Sequence, residues 1–302
     1  MTRRLLAVHA HPDDESSKGA ATAAYYRSQG AQVMVVSCTS GERGDVLYEG
    51  LTPRAMADRD MAGHRRQEMQ RAQQILGVDH RWLGYADSGL PPEGEPLPIN
   101  SFATIPLEHS GAVLTRIIRE FRPQVVTTYD ENGGYPHPDH IRTHEVTMFA
   151  VEAAADASRF PEAGEPWQVQ KVYYDRGFNV SRIEAIGQEL IARDPESPLV
   201  AEFERMREWM GARPDTATTH VPCGEFFEAR DAALLAHASQ VPPDSSFFFW
   251  PIDLQRAAWP YEDFELVVSH VPTTIPEDDL FAGIELDTEH TELDTENGEV
   301  GA

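Results

Sequence analysis

Apolar residues in this chain follow two spacings, and the alternation between them outlines the fold. Leu5, Leu6, Ala7 and Val8 are consecutive, as in a strand covered on both faces of a parallel sheet, and a histidine-rich loop follows at once. From Ser16 to Gln29 the small residues and the Tyr25, Tyr26 pair predict a helix, with Gly30 placed to end it. Gln32 to Cys38 returns as a second strand and completes a strand–helix–strand unit. Residues 61–76 predict a charged helix with Met69, Ala72, Ile75 and Leu76 inward and Gly77 at its end. His80 to Tyr85 reads as a short strand. A helix with Val113, Leu114, Ile117 and Ile118 inward then leads into a strand over Gln124 to Tyr129 and a second histidine-rich loop ending at His140. Val169 to Tyr174 is a further strand, after which the spacing turns helical at 181–193, 198–211 and 224–237.

This order predicts an α/β fold: a mostly parallel sheet flanked by helices, with an α-rich C-terminal extension. Residues 1–178 form the expected core and 179–283 an extension completing the same domain. Residues 284–302 contain ELDTE twice, at Glu285 to Glu289 and Glu292 to Glu296, and no lysine or arginine follows Arg256. That composition predicts a solvated, disordered acidic tail. In an open α/β sheet, ligand sites gather at the carboxyl ends of the strands. The two histidine-rich loops can therefore face one crevice despite their separation in sequence.

Charge narrows the function classes. Lys plus Arg is 25 against 50 for Asp plus Glu, a net charge of −25, which argues against a nucleic-acid partner whose phosphates need basic side chains. Cys38 and Cys223 are the only cysteines and make neither a disulfide framework nor a thiolate metal site. No apolar stretch approaches the roughly 20 residues of a membrane helix, and the start lacks the pattern of a signal peptide. These features predict a cytoplasmic protein with neither a nucleic-acid nor a membrane partner.

Chemistry concentrates in Ala10-His11-Pro12-Asp13-Asp14-Glu15, where one imidazole and three carboxylates leave a buried strand together. Crowded carboxylates raise one another's pKa unless a cation offsets them. Alone, the loop reads equally well as a helix N-terminus with acids favouring the dipole. The second loop, Tyr135-Pro136-His137-Pro138-Asp139-His140, repeats His-Pro-Asp and shifts the reading to a metal site. Two histidines and a carboxylate with one open position suit a hydrolytic zinc, which lowers the pKa of a water to about 7. Asp13, next to Asp14, suits the general base.

These two motifs, AHPDDE at 10–15 and HPDH at 137–140, resemble the signatures of the LmbE-like, or PIG-L, superfamily of metal-dependent N-acetylglucosaminyl deacetylases. The resemblance implies a Rossmann-like core, with His11, Asp14 and His140 holding Zn2+ (Fe2+ suits the same ligands) and Asp13 as base. It implies that His137 stabilises the oxyanion and protonates the leaving amine, that Asp139 orients His137, and that Tyr135 helps to hold the tetrahedral intermediate. Further segments, CTSGERGD at 38–45, GYADSGLP at 84–91 and ARDAALLAHASQ at 229–240, are similar to a branch that cleaves the amide between glucosaminyl-inositol and the N-acetylcysteine of mycothiol S-conjugates. In that branch Lys18 would meet the inositol end of the small-molecule substrate, while Asp45, Arg65 and Asp87 match substrate-contacting positions of the deacetylase branch and would hold sugar and inositol hydroxyls. The alternative within the family is deacetylation of N-acetylglucosaminyl-inositol.

Other residues have plainer readings. Arg65, in His64-Arg65-Arg66 on a charged helix, reads from its neighbours alone as solvent-exposed. His9 reads as a structural histidine, and His144 sits at ligand spacing from His140 without a family role. His237 and Gln240, after Leu234 and Leu235 on the inward face, read as core or as substrate contacts, and Phe247 to Trp250 as core. Two other classes fit less well. A dinucleotide-binding protein would need G-x-G-x-x-G after the first strand. A non-catalytic metal-binding protein would need neither Asp13 nor His137.

Overall fold

The computed structural model describes residues 2–92, 94–211 and 213–285. The acidic tail expected over 284–302 lies outside the described residues from 286 onward. Among the described residues seven strands form one sheet: β1 (Arg4–His9), β2 (Gln32–Thr39), β3 (Asp79–Tyr85), β4 (Val125–Thr128), β5 (Lys171–Asp175), β6 (Thr219–Pro222) and β7 (Tyr261–Ser269). Their order is β3-β2-β1-β4-β5-β7-β6. The first five run parallel, and β7 pairs antiparallel with both β5 and β6. The sheet is therefore mixed at one edge, and the stretch expected to be α-rich supplies two of its strands.

The helices are α1 (Asp14–Ser17), α2 (Ala20–Ser28), α3 (Arg54–Arg59), α4 (Met61–Leu76), α5 (Leu107–Phe121), α6 (Pro138–Ala155), α7 (Val180–Arg193), α8 (Leu199–Met210), α9 (Phe227–Ala236) and α10 (Ile252–Ala258). Along β1, Leu5 and Ala7 face one core with residues of α2, α4 and α9, while Leu6 and Val8 face another with α5 and α6. The continuous apolar run follows from this two-sided burial. A third cluster joins α7, α8 and α10, including Phe203, Trp250 and Leu254.

Several details depart from the sequence pattern. The helix expected over 16–29 is two helices, because Gly19 adopts φ 79° between them. Ile75, Val113 and Leu235, expected inward, are 43%, 39% and 45% exposed. Phe247 is exposed, whereas Phe249 and Trp250 join the third core. Helix α4 matches its expected limits, with Gly77 left-handed at its end.

What positions the site is the strand order. Moving outward from β1, the chain proceeds to β2 on one side and to β4 on the other. This is a topological switch point, where a crevice opens beyond the carboxyl ends of the two central strands. The loop after β1 carries His11 to Asp14, and the loop after β4 carries Tyr135 to His140.

Candidate metal centre and hydrolytic site

Both loops are held by backbone geometry that their sequences permit. Pro138 opens α6 with His137 as its N-cap, and the His137 ring accepts the Asp139 N–H through Nδ1 at 3.1 Å. Gly133 has φ 72°, and a Cβ there would come within 2.6 Å of the His140 Cβ. Only glycine lets this loop approach closely enough for the Gly133 carbonyl to accept from His140 Nδ1 at 3.0 Å. Tyr129, at the end of β4, ties the loops together: its hydroxyl accepts the Ala10 N–H at 3.0 Å and its ring stacks on His140.

Those contacts fix the His140 tautomer. A carbonyl only accepts, so Nδ1 carries the hydrogen and Nε2 presents its lone pair. Among the described residues that nitrogen is buried without a hydrogen-bond partner, 3.4 Å from Asp14 Oδ2. His11 is oriented similarly: Nε2 lies 3.3 Å from Asp139 Oδ2 and 3.6 Å from Asp87 Oδ1, leaving Nδ1 3.4 Å from Asp14 Oδ2. A carboxylate behind a histidine that faces a ligand position is the usual support of a metal-binding imidazole. Two lone-pair nitrogens converging on a buried carboxylate make a donor set that fits a divalent cation. His11, His137 and His140 also bring one ring nitrogen each within 4.8 Å of one another, so His137 borders the same space.

Electrostatics separates the two aspartates. Burial alone would push the Asp14 carboxyl up, but the His140 and His11 imidazoles beside Oδ2 and the Lys18 ammonium at Oδ1 hold it well below the ordinary carboxylate range. Asp13 goes the other way: burial raises it, with Arg65 only partly offsetting, which makes it the more basic of the pair. Asp13 also has φ 108°, a region that costs a non-glycine residue on the order of 1–3 kcal/mol. Surrounding contacts hold it there. Its N–H donates to Glu15 Oε2 at 2.9 Å, its carbonyl accepts from Ser16 and Ser17, and its Oδ2 accepts from Arg65 at 2.9 Å.

The expected substrate contacts fare differently. Arg65 is 3% exposed rather than solvated, and its guanidinium donates to the Pro12 and Gly41 carbonyls as well as to Asp13. Gly41, at φ 62°, leaves room that a Cβ would take from that guanidinium. Asp87 is buried, with Oδ1 accepting from the Gly89 N–H and Oδ2 from the Arg43 N–H. Lys18 Nζ donates to Asp14 Oδ1 at 2.8 Å. Asp45 is exposed, its carbonyl accepting from Gln240. Tyr135 is 49% exposed, its ring 4.5 Å from that of His140.

Asp139 meets both loops. Its carboxylate faces His11 and the Ser88 N–H, while its backbone N–H donates to the His137 ring. The His137 pKa is lowered to about 4 by burial and by His11 and His140, so the ring is neutral at neutral pH with its hydrogen on Nε2. His9 is buried and likewise lowered to about 4 by burial, and His144 donates to the Tyr129 carbonyl away from the cluster. The Glu15–His237 contact escaped the sequence reading, because its members lie 222 residues apart.

Fold and site together define a class: a hydrolase with a cation cradle at the switch point of an α/β sheet. A family model described as GlcNAc-PI de-N-acetylase, PIG-L, matches residues 6–151. A mycothiol S-conjugate amidase from Streptomyces coelicolor is 53% identical over 286 residues, covering 93% of this chain and 97% of the relative. A 1D-myo-inositol 2-acetamido-2-deoxy-alpha-D-glucopyranoside deacetylase from Geodermatophilus obscurus is 42% identical, covering 94% and 98%. Among solved structures, the N,N'-diacetylchitobiose deacetylase from Pyrococcus horikoshii shares the fold, with a TM-score of 0.58 at 19% identity over 88% of this chain and 84% of that one. The chain belongs to the PIG-L family. Among its described residues no helix is long and apolar enough to cross a membrane.

Proposed function

We propose that this chain is a cytoplasmic, zinc-dependent amidase that cleaves mycothiol S-conjugates. The products are glucosaminyl-inositol and an N-acetylcysteine S-conjugate, a mercapturic acid. The observation that carries this choice of substrate is the 53% identity to an amidase across nearly its whole length, against 42% for a deacetylase of similar coverage.

The cradle residues are His11 through Nδ1, Asp14, and His140 through Nε2. Zinc suits these donors, and ferrous iron suits them as well. When bound, the cation lowers the pKa of a water and polarises the scissile carbonyl. Asp13, with its raised pKa, takes a proton from the attacking water and returns it to the departing nitrogen. Neutral His137 donates its Nε2 hydrogen to the developing oxyanion, and Tyr135 at the mouth offers a second donor. Arg65 holds Asp13, and Asp87 and Asp139 hold His11. Lys18 and Asp45 are the side chains left to meet the inositol and sugar hydroxyls, with Lys18 exchanging its Asp14 contact for substrate.

A second reading rests on the 42% identical relative: removal of acetate from N-acetylglucosaminyl-inositol by the same residues. Mass spectrometry of the products from both compounds decides between them. A mercapturic acid formed by zinc-reloaded but not chelator-treated protein supports the amidase, and acetate as the dominant product favours the deacetylase.

A further inference from the structure

Asp13 is gripped at both ends from one scaffold. Its carboxylate is held by Arg65 of α4. Its N–H is held by Glu15, whose other oxygen, Oε1, accepts from His237 Nε2 at 2.7 Å and from the Ser16 hydroxyl. Glu15 and His237 are 2% and 0% exposed, so neither exchanges its partner for water.

His237 is itself locked at the end of α9. Its N–H donates to the Leu234 carbonyl, and its own carbonyl accepts from Gln240 and Val241. Two residues on, Ser239 donates its N–H and its hydroxyl to the Glu68 carboxylate, both at 2.7 Å, and Glu68 stands on α4, one turn beyond Arg65. A continuous set of buried hydrogen bonds therefore runs from α4 through the α9 turn to His237, Glu15 and the Asp13 backbone. His237 lies outside the stretch matched by the family model and touches none of His11, Asp14 or His140 through a hydrogen bond among the described residues.

We propose that His237 is a positioning residue for hydrolysis: through Glu15 it fixes the left-handed Asp13 backbone, and so the place of the Asp13 carboxylate. The proposal rests on the reading of Asp13 as the base. A neutral apolar side chain at 237 would leave the Glu15 carboxylate buried without its strongest donor. Glu15 would then turn toward other donors and release the Asp13 N–H.

The test compares His237→Gln, whose amide N–H reaches the Nε2 position, with His237→Asn, whose amide falls short. Both are assayed for kcat and KM on a fluorescent mycothiol S-conjugate and for zinc affinity by chelator competition. His237→Asn is expected to lower kcat at least about tenfold, as for a misplaced reacting group, with KM and zinc affinity within about threefold of the parent. His237→Gln is expected to keep kcat within about threefold. In an Asp13→Asn background, His237→Asn should cause no further fall. Equal losses in the two variants, a parallel loss of zinc affinity, or full additivity with Asp13→Asn overturns the proposal. If His237→Asn does not fold, Glu15→Gln is read instead. It puts an amide N–H against one of the two donors, is expected to show the same loss of kcat, and overturns the proposal if kcat is unchanged. An Asp13→Asn variant of full activity would instead remove the reading of Asp13 itself.

Discussion

The Asp139 carboxylate lies against His11, Oδ2 3.3 Å from Nε2, although Asp139 is only two residues from His137. The α6 N-terminus turns the side chain away from its sequence neighbour and toward the loop after β1. In the proposed site Asp139 would then act on the cation cradle through His11. Asp139→Ala is expected to weaken zinc binding about 10–100-fold, the usual effect of removing a carboxylate behind a metal-binding histidine. Chelator competition on the purified variant measures this. An effect on kcat alone, with zinc affinity intact, would return Asp139 to the role of orienting His137.

His137 is neutral where the protein works, since its pKa lies near 4, and a nearby cation lowers it further. In the proposed reaction its contribution is an N–H aimed at the oxyanion. His137→Ala is expected to reduce kcat about 100–1,000-fold. His137→Gln, which keeps a donor, should recover part of that loss. The pH profile of kcat should show no loss of activity assignable to His137 deprotonation between pH 5 and 8. A Gln variant no better than Ala, or a limb that vanishes only in the His137 variants, contradicts this role.

How much of this was legible in the sequence depended on whether a signal was local. Helix α4 and its Gly77 terminus were, because periodicity and a left-handed glycine are properties of neighbours. The two histidine loops were, because each packs its polar residues into six positions after a strand. Strand β7 was not, since Glu262 and Asp263 interrupt its apolar pattern. Both are buried for tertiary reasons: Glu262 accepts the Ala21 and Thr22 N–H groups at the start of α2, and Asp263 pairs with Asn179, His220 and Trp259. Arg65 was misread by its neighbours alone for the same reason, since its partners Pro12, Asp13 and Gly41 come from other elements. The resemblance placed Arg65 at the site, yet it could not say that the guanidinium grips Asp13.

The C-terminal segment is fastened to the sheet by a buried ion pair. Lys171 on β5 meets Glu277, with side chains 0% and 2% exposed, and Tyr173 and Thr219 complete the carboxylate. Lys171→Met leaves that charge without its cation and is expected to destabilise the fold by about 3–5 kcal/mol. Lys171→Met combined with Glu277→Gln should recover most of the loss. Urea denaturation of single and double variants reads both, and a single variant as stable as the parent contradicts the assignment.

Asp175, at the end of β5, is pushed up to about 7 by burial, with Lys18 only partly offsetting. An unfolded aspartate titrates near about 4. The folded state thus holds a proton that the unfolded chain gives up, so this contribution to stability is present below about pH 4 and is lost as pH rises to 7. Asp175→Asn removes that loss. Its Tm relative to the parent should be about 2–4 °C more favourable at pH 8 than at pH 5. Calorimetry at the two pH values checks this, and a pH-independent difference contradicts it.

The most direct test of the central claim is the ratio of kcat/KM for a mycothiol S-conjugate to that for N-acetylglucosaminyl-inositol, on one zinc-loaded preparation with Asp13→Asn as control. The account predicts a ratio of at least about 100, or roughly 3 kcal/mol of differential transition-state binding, with both activities lost in the control. A ratio below one, or conjugate cleavage that survives in Asp13→Asn, would contradict it.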